Sequence, residues 1–138
     1  MPLTNEQLDN WFTYHPPTEE TAPKYAAIRA AETDCIANVT QTAYEVGPDV
    51  AQLHREINRS TRHMAEAIDA HAPDSDDKTA AIRCVRLARN LFNEWAQQRT
   101  LTKDRQAWND ITVLFAAAEI ELVKARMQAN SAIACGGK

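Results

Sequence analysis

WNDITVLFAAAEIELVKARMQANSA, residues 108–132, is the stretch that decides the fold. Trp108, Ile111, Phe115, Ala118, Leu122, Ala125, Ala129 and Ala132 recur at alternating spacings of three and four. That rhythm brings back the same face of an α-helix turn after turn, so it predicts one long helix with a single buried seam. Small side chains fill the second half of the seam, which predicts a neighbouring helix packed closely there.

The same periodicity runs upstream. A long helix is predicted from about Thr21 to Glu45, with Tyr25, Ile28, Ile36, Val39 and Ala43 as its stripe. Pro23 falls where a first-turn proline is tolerated, and Gly47-Pro48 stops the helix. The next, from about Asp49 to Ala70, carries Val50, Leu53, Ile57, Met64 and Ile68 on one side. HAPDSDDK, residues 71–78, is a turn with two candidate N-caps, Asp74 and Ser75, and acids where a helix dipole favours them. A third helix to about Gln98 carries Ile82, Val85, Phe92 and Trp95, and Thr102 is a candidate cap for the helix quoted first. Thr4-Asn-Glu-Gln7 has the pattern of a capping box and predicts a short helix through about Asn10. The expected fold is all-α: a long antiparallel helical hairpin or bundle with a short N-terminal helix, oligomerising through helix packing. It is read as one helical domain over 1–138. Residues 1–20 hold the short helix and an aromatic-proline loop, 21–98 the hairpin region, and 99–138 the C-terminal helix.

Composition agrees with this. Three glycines in 138 residues leave few tight turns of the kind a sheet protein needs. No apolar run approaches the ~18 residues of a membrane span. MPLTNEQLDN has neither the basic start nor the apolar stretch of a secretion signal. Cys35, Cys84 and Cys135 are odd in number and widely spaced, the pattern of buried, reduced thiols in a cytosol. A net charge of −4 argues against coating a DNA or RNA polymer, which needs a broad basic face.

Catalytic signatures are missing. The chain has no glycine-rich phosphate loop, nucleophile elbow, Cys-x-x-Cys or His-Glu-x-x-His. His54 and His63 stand nine apart, too far for a helical zinc pair. Glu119 and Glu121 are two apart and diverge on a helix, so an enzyme, a metal and a cofactor are not expected. Arg55, Arg59 and Arg62 follow helical spacing, as do Arg83, Arg86 and Arg89. These stripes read either as solvated faces paired with acids such as Glu56 and Glu66, or as a face turned to an anion.

WFTYHPPT, residues 11–18, breaks the helical pattern. Pro16 and Pro17 stiffen the backbone, so nearby rings are held at low entropic cost and can stack on a flat ligand. Lys24 and Arg29 follow near the start of the long helix, whose dipole also favours anions. A flat group beside a phosphate describes a nucleotide. The competing reading is that Trp11, Phe12 and Tyr14 staple the N-terminal segment to the bundle, with Trp11 or Phe12 the better suited to that role.

Residues 11–31, WFTYHPPTEETAPKYAAIRAA, resemble the opening of a phage family of small helical-hairpin proteins, the anti-CBASS cyclic-nucleotide sponges, which share a hairpin domain with some Thoeris antagonists. The ordered positions are Phe12, Tyr14, His15, Pro17, Lys24, Tyr25, Ile28 and Arg29. Pro73-Asp-Ser75, followed by DDKTAAIRCVRLA, is similar to the turn that opens the family's return helix, and VKARMQANSAIAC (123–135) to its C-terminal end. The resemblance covers about half of the chain in three pieces. A typical member is a single hairpin, whereas this chain has added helices between Ala30 and His71 and after Trp95.

The resemblance implies a non-catalytic protein that sequesters cyclic dinucleotides such as cGAMP, or cyclic trinucleotides, in the cytoplasm of an infected bacterium, blocking CBASS-type antiphage immunity. It implies a homo-oligomer, from a dimer up to a hexamer, with Tyr14, His15, Pro17, Lys24 and Arg29 as ligand-binding residues. A twofold ligand suits a twofold interface, with Tyr14 of each subunit stacked on a base for about 1–3 kcal/mol. Arg29 would hold phosphate oxygens through its planar fork, and Lys24 would add a less directional charge. The alternative is a phage protein–protein interaction module without a nucleotide ligand, its docking element the long seam from Trp108 to Ala132.

Overall fold

The structure, a computed structural model, describes residues 12, 15–47, 49–101 and 108–136. Four helices account for nearly all of them: α1 (Ala22–Val46), α2 (Val50–His71), α3 (Asp76–Leu101) and α4 (Trp108–Cys135). Each packs on its successor, and α4 returns to α1, closing a four-helix bundle. The expected short helix at Thr4–Asn10, the Thr102 cap, and the expectations for Trp11, Tyr14 and Pro48 lie outside the described residues.

Local chemistry fixes where each helix begins and ends. Thr18 and Thr21 clasp each other: the Thr18 amide donates to Thr21 Oγ1 at 2.8 Å, and the Thr21 amide donates to Thr18 Oγ1 at 3.1 Å. At the far end Gly47, at φ 56°, takes the left-handed turn that a side chain would resist. Arg99 of α3 donates to the carbonyls of Ala43 and Gly47 there and lies 5.3 Å above the Trp95 ring. Cationic donors suit orphaned C-terminal carbonyls. Asp49 caps α2 by accepting the Gln52 amide at 3.1 Å. Ser75 is the cap of α3, its Oγ accepting the Lys78 amide at 3.1 Å. Asp74 instead pairs with the Lys78 ammonium at 3.0 Å. Lys78 also reaches back to the Asp69 carbonyl and carboxylate, both at 3.1 Å, and ties the turn to the end of α2.

The core follows the α2 stripe closely, with Leu53, Ile57, Met64 and Ile68 fully buried. In α1 it runs through Cys35, and Ile36 is only half-buried. In α3 the buried line is Ala81, Val85, Ala88, Phe92 and Ala96, while Ile82 and Trp95 are half-buried at its edge. These alanines face Ala118, Ala125, Ala129 and Ala132 of α4, so α3 and α4 share a small-residue seam. Phe92 anchors one end of it, edge-on to Phe115 at 5.2 Å. Truncating such a ring to alanine typically costs about 3–5 kcal/mol.

Polar groups bridge several of the helix pairs, and Ser131 of α4 donates to Asp77 of α3 at 2.8 Å. Arg126 of α4 donates through Nε to both carboxylate oxygens of Glu32 on α1, at 2.9 and 3.1 Å, and both side chains are over nine-tenths buried. Between α2 and α3, Asn93 lies 2.7 Å from His54 Nδ1 and donates to Asn58 Oδ1 at 3.0 Å. Gln97 lies 3.4 Å from the other nitrogen of His54. No described helix is long and apolar enough to cross a membrane.

Candidate functional site

The start of α1 meets two other elements at one end of the bundle. Glu20, Thr21 and Lys24 line a cavity of about 570 Å³ together with His71 and Pro73 from the α2–α3 turn and Ile133 to Gly136 from the end of α4. One member of each of the three stretches singled out in the sequence therefore lines this cavity: Lys24, Pro73 and the run ending at Cys135. The volume falls within the 300–1,000 Å³ typical of small-molecule sites.

Arg29 does not line that cavity. It borders a smaller one, about 120 Å³, with Phe12, Tyr25, Ala26, Arg126 and Asn130. Five residues on a helix turn a side chain by well over a quarter circle, which separates Lys24 from Arg29. Phe12 packs edge-on to Tyr25 at 5.3 Å, so it fills the stapling role. Burial pushes the Tyr25 phenol above its ordinary range, partly offset by a hydrogen bond with Thr21, and the ring enters the core as a neutral group. His15 and Pro17 are exposed, ahead of the Thr18–Thr21 clasp. Tyr14 lies outside the described residues.

Electrostatics at the large cavity differ from expectation in one respect. The first amides of α1 are largely occupied: Thr21 N donates to Thr18 Oγ1, Ala22 N to the Thr18 carbonyl and Lys24 N to the Thr21 carbonyl, while Pro23 has no N–H. The helix end thus offers an anion its dipole and the Lys24 ammonium rather than a cradle of free amides. Lys24 itself is only loosely engaged, 3.9 Å from the exposed Glu20.

Sequence reasoning missed the Glu32–Arg126 pair and Asn130. Glu32 stands four residues from both Ile28 and Ile36, inside the apolar stripe of α1, and that position was its signal. Asn130 is buried and its Oδ1 has no hydrogen-bond partner in the described structure, on the wall of the smaller cavity. Of the stripes, Arg59 pairs with Glu56 through Nε at 2.8 Å and Arg62 with Glu66 at 3.8 Å. The Arg59 hydrogen bond holds the Glu56 carboxyl below its ordinary range. The three cysteines are free, but only Cys35 is buried as expected: Cys84 is half-buried, and Cys135 is exposed because it ends the last turn of α4. Among the described residues no group of three or more His, Cys, Asp and Glu is placed to hold a metal.

Comparison with known proteins adds no relative: no family model, curated protein or solved structure matches the chain.

Proposed function

We propose that the chain binds and sequesters cyclic oligonucleotide second messengers without turning them over, acting as a phage sponge against CBASS-type immunity in the cytoplasm of an infected bacterium. The observation that carries this reading is the convergence of Lys24, the Pro73 turn and the end of α4 on one nucleotide-sized cavity. Lys24 supplies the charge that meets a phosphate, and the dipole of α1 adds to it. Tyr14, His15 and Pro17 precede the Thr18–Thr21 clasp in the chain, and in this reading Tyr14 stacks on a base of the ligand. Arg29, on the neighbouring smaller cavity, takes a second phosphate in the oligomer, where two subunits present the same residues to a twofold ligand.

A sponge has no turnover and must succeed by affinity; a nanomolar constant corresponds to about −12 kcal/mol. Two stacked bases and two charge-assisted phosphate contacts supply much of that from a preformed site. The alternative, a docking module built on α4, has less to stand on, because Ile111, Ala118, Leu122, Ala125, Ala129 and Ala132 are already buried within this chain.

Calorimetry with a panel of cyclic dinucleotides and trinucleotides tests the reading. The expected result is saturable binding that Lys24→Ala, Arg29→Ala or Tyr14→Ala each weakens by about tenfold or more, the loss of one charge-assisted contact or one stack. Folded protein that binds nothing in the panel defeats it. Light scattering that returns a monomer removes the shared twofold site.

A further inference from the structure

We infer that the groove between α2 and α3 is a separate binding site for a small ligand bearing a diphosphate group. The groove measures about 600 Å³ and shares no residue with the cavity at Lys24. Its walls carry Arg62, Arg86 and Arg89 and not one carboxylate. On a chain of net charge −4, three guanidinium groups gathered in one concavity concentrate a positive potential that the composition as a whole opposes.

Arg86 and Arg89 of α3, unlike Arg99, have no structural occupation. Arg86 and Arg89 make no ion pair or hydrogen bond among the described residues, and both are exposed. Their helical neighbours forbid the usual pairing. Arg86 has Arg83 and Arg89 three residues away and Ile82 and Asn90 four away, while Arg89 has Val85 and Asn93 four away. Across the groove, the register set by His54 with Gln97 and Asn58 with Asn93 brings Arg62 opposite Arg89. Arg62 is held only by Glu66, at 3.8 Å with both side chains mostly exposed. Like charges facing each other without an intervening acid add nothing to folding. An anion between them would turn that repulsion into attraction.

The geometry selects the class of anion. Arg86 and Arg89, three apart on one helix, have Cβ atoms about 5–6 Å apart, a spacing at which two planar forks can each hold one phosphoryl group of a diphosphate. Arg62 closes on it from α2. Thr61, Ala65, Ile82 and Val85 complete the lining without adding a charge, the Thr61 hydroxyl being spent on the Ile57 carbonyl, and the Asn58–Asn93–His54 bonds tie α2 to α3 at one end of the groove. Such a diphosphate can arrive free or as part of a nucleoside diphosphate.

Titration calorimetry of the intact protein at low salt, with inorganic pyrophosphate as the probe, is the test. The expected result is one saturable site whose affinity falls by about tenfold or more in R86Q/R89Q and less in R62Q, while Lys24→Ala leaves it unchanged. R86K/R89K, which keeps the charge but loses the forks, is expected between wild type and R86Q/R89Q. A parallel titration with a nucleoside diphosphate separates the sources: tighter binding than pyrophosphate assigns the groove to the nucleotide, equal binding to the free anion. Absence of saturable pyrophosphate binding, equal affinity in R86Q/R89Q, or a matching loss in Lys24→Ala overturns the inference. R86Q/R89Q is expected to leave any cyclic dinucleotide binding intact, so this site and the cavity at Lys24 stand or fall separately.

Discussion

Between α1 and α4 the chain seals Arg126 against Glu32 in the interior, whereas between α2 and α3 it leaves Arg62, Arg86 and Arg89 open in a groove. The residue type is the same and the treatment is opposite. A sealed guanidinium has been stripped of water, so its carboxylate partner is indispensable to the fold. An open guanidinium keeps its water, and stability is nearly indifferent to it. Burial and partners, rather than residue type, thus tell which arginines belong to the architecture and which are at the disposal of a ligand.

The largest expected effect breaks the sealed side. Arg126→Met leaves Glu32 buried and unpaired and is expected to cost about 3–5 kcal/mol in urea unfolding. E32M/R126M, which removes both charges, is expected to recover most of that loss. A single variant within about 1 kcal/mol of wild type would show that the pair is not dry, since only a solvated carboxylate tolerates losing its partner so cheaply. An intermediate effect belongs to Lys78, whose ammonium joins the α2–α3 turn to the end of α2. Lys78→Met is expected to cost about 1–2 kcal/mol at neutral pH, because it strips a hydrogen bond from the Asp69 carbonyl and the charge partner of Asp74. The Asp74 hydrogen bond, foremost, raises the Lys78 pKa above its ordinary 10.5. Its contribution is therefore complete below pH 10.5 and lost as pH climbs through the raised folded value. Unfolding curves of wild type and Lys78→Met should converge above that pH, and a gap that stays constant contradicts the assignment. The smallest effect sharpens the open side. R86Q/R89Q is expected to shift stability by no more than about 0.5 kcal/mol, upward where low salt leaves the like charges unscreened. A large loss would place these arginines with Arg126, as parts of the fold.

The α4 seam was legible at once because its larger members and its alanines keep one phase, and the structure buries Ile111, Ala118, Leu122, Ala125, Ala129 and Ala132 along it. The α3 face was legible only in part. Ile82 and Trp95 draw the eye by their hydrophobicity, yet the closest approach of two helices selects small side chains, and Ala81, Ala88 and Ala96 hold the centre. Bulk and burial part company where helices nearly touch. Glu32 was passed over because a charge in an apolar stripe makes sense only with its partner, and Arg126 stands 94 residues away. The candidate site was legible as a set of residues but not as a shape. Lys24 and Arg29 look like one basic pair in sequence, and the helical rotation between them sends each to a different cavity. Only packing joins Lys24 to Pro73 and the end of α4.

Cys135 makes the large cavity open to observation without any mutation. Burial holds the Cys35 thiol protonated up to a pKa of about 12, and burial with the nearby Glu121 carboxylate raises that of the half-buried Cys84. Thiolate is the form that attacks a maleimide, so both resist labelling, while Cys135 lies exposed on the cavity wall. A dye attached there would sit at the mouth, and its emission would register any molecule that enters beside Lys24.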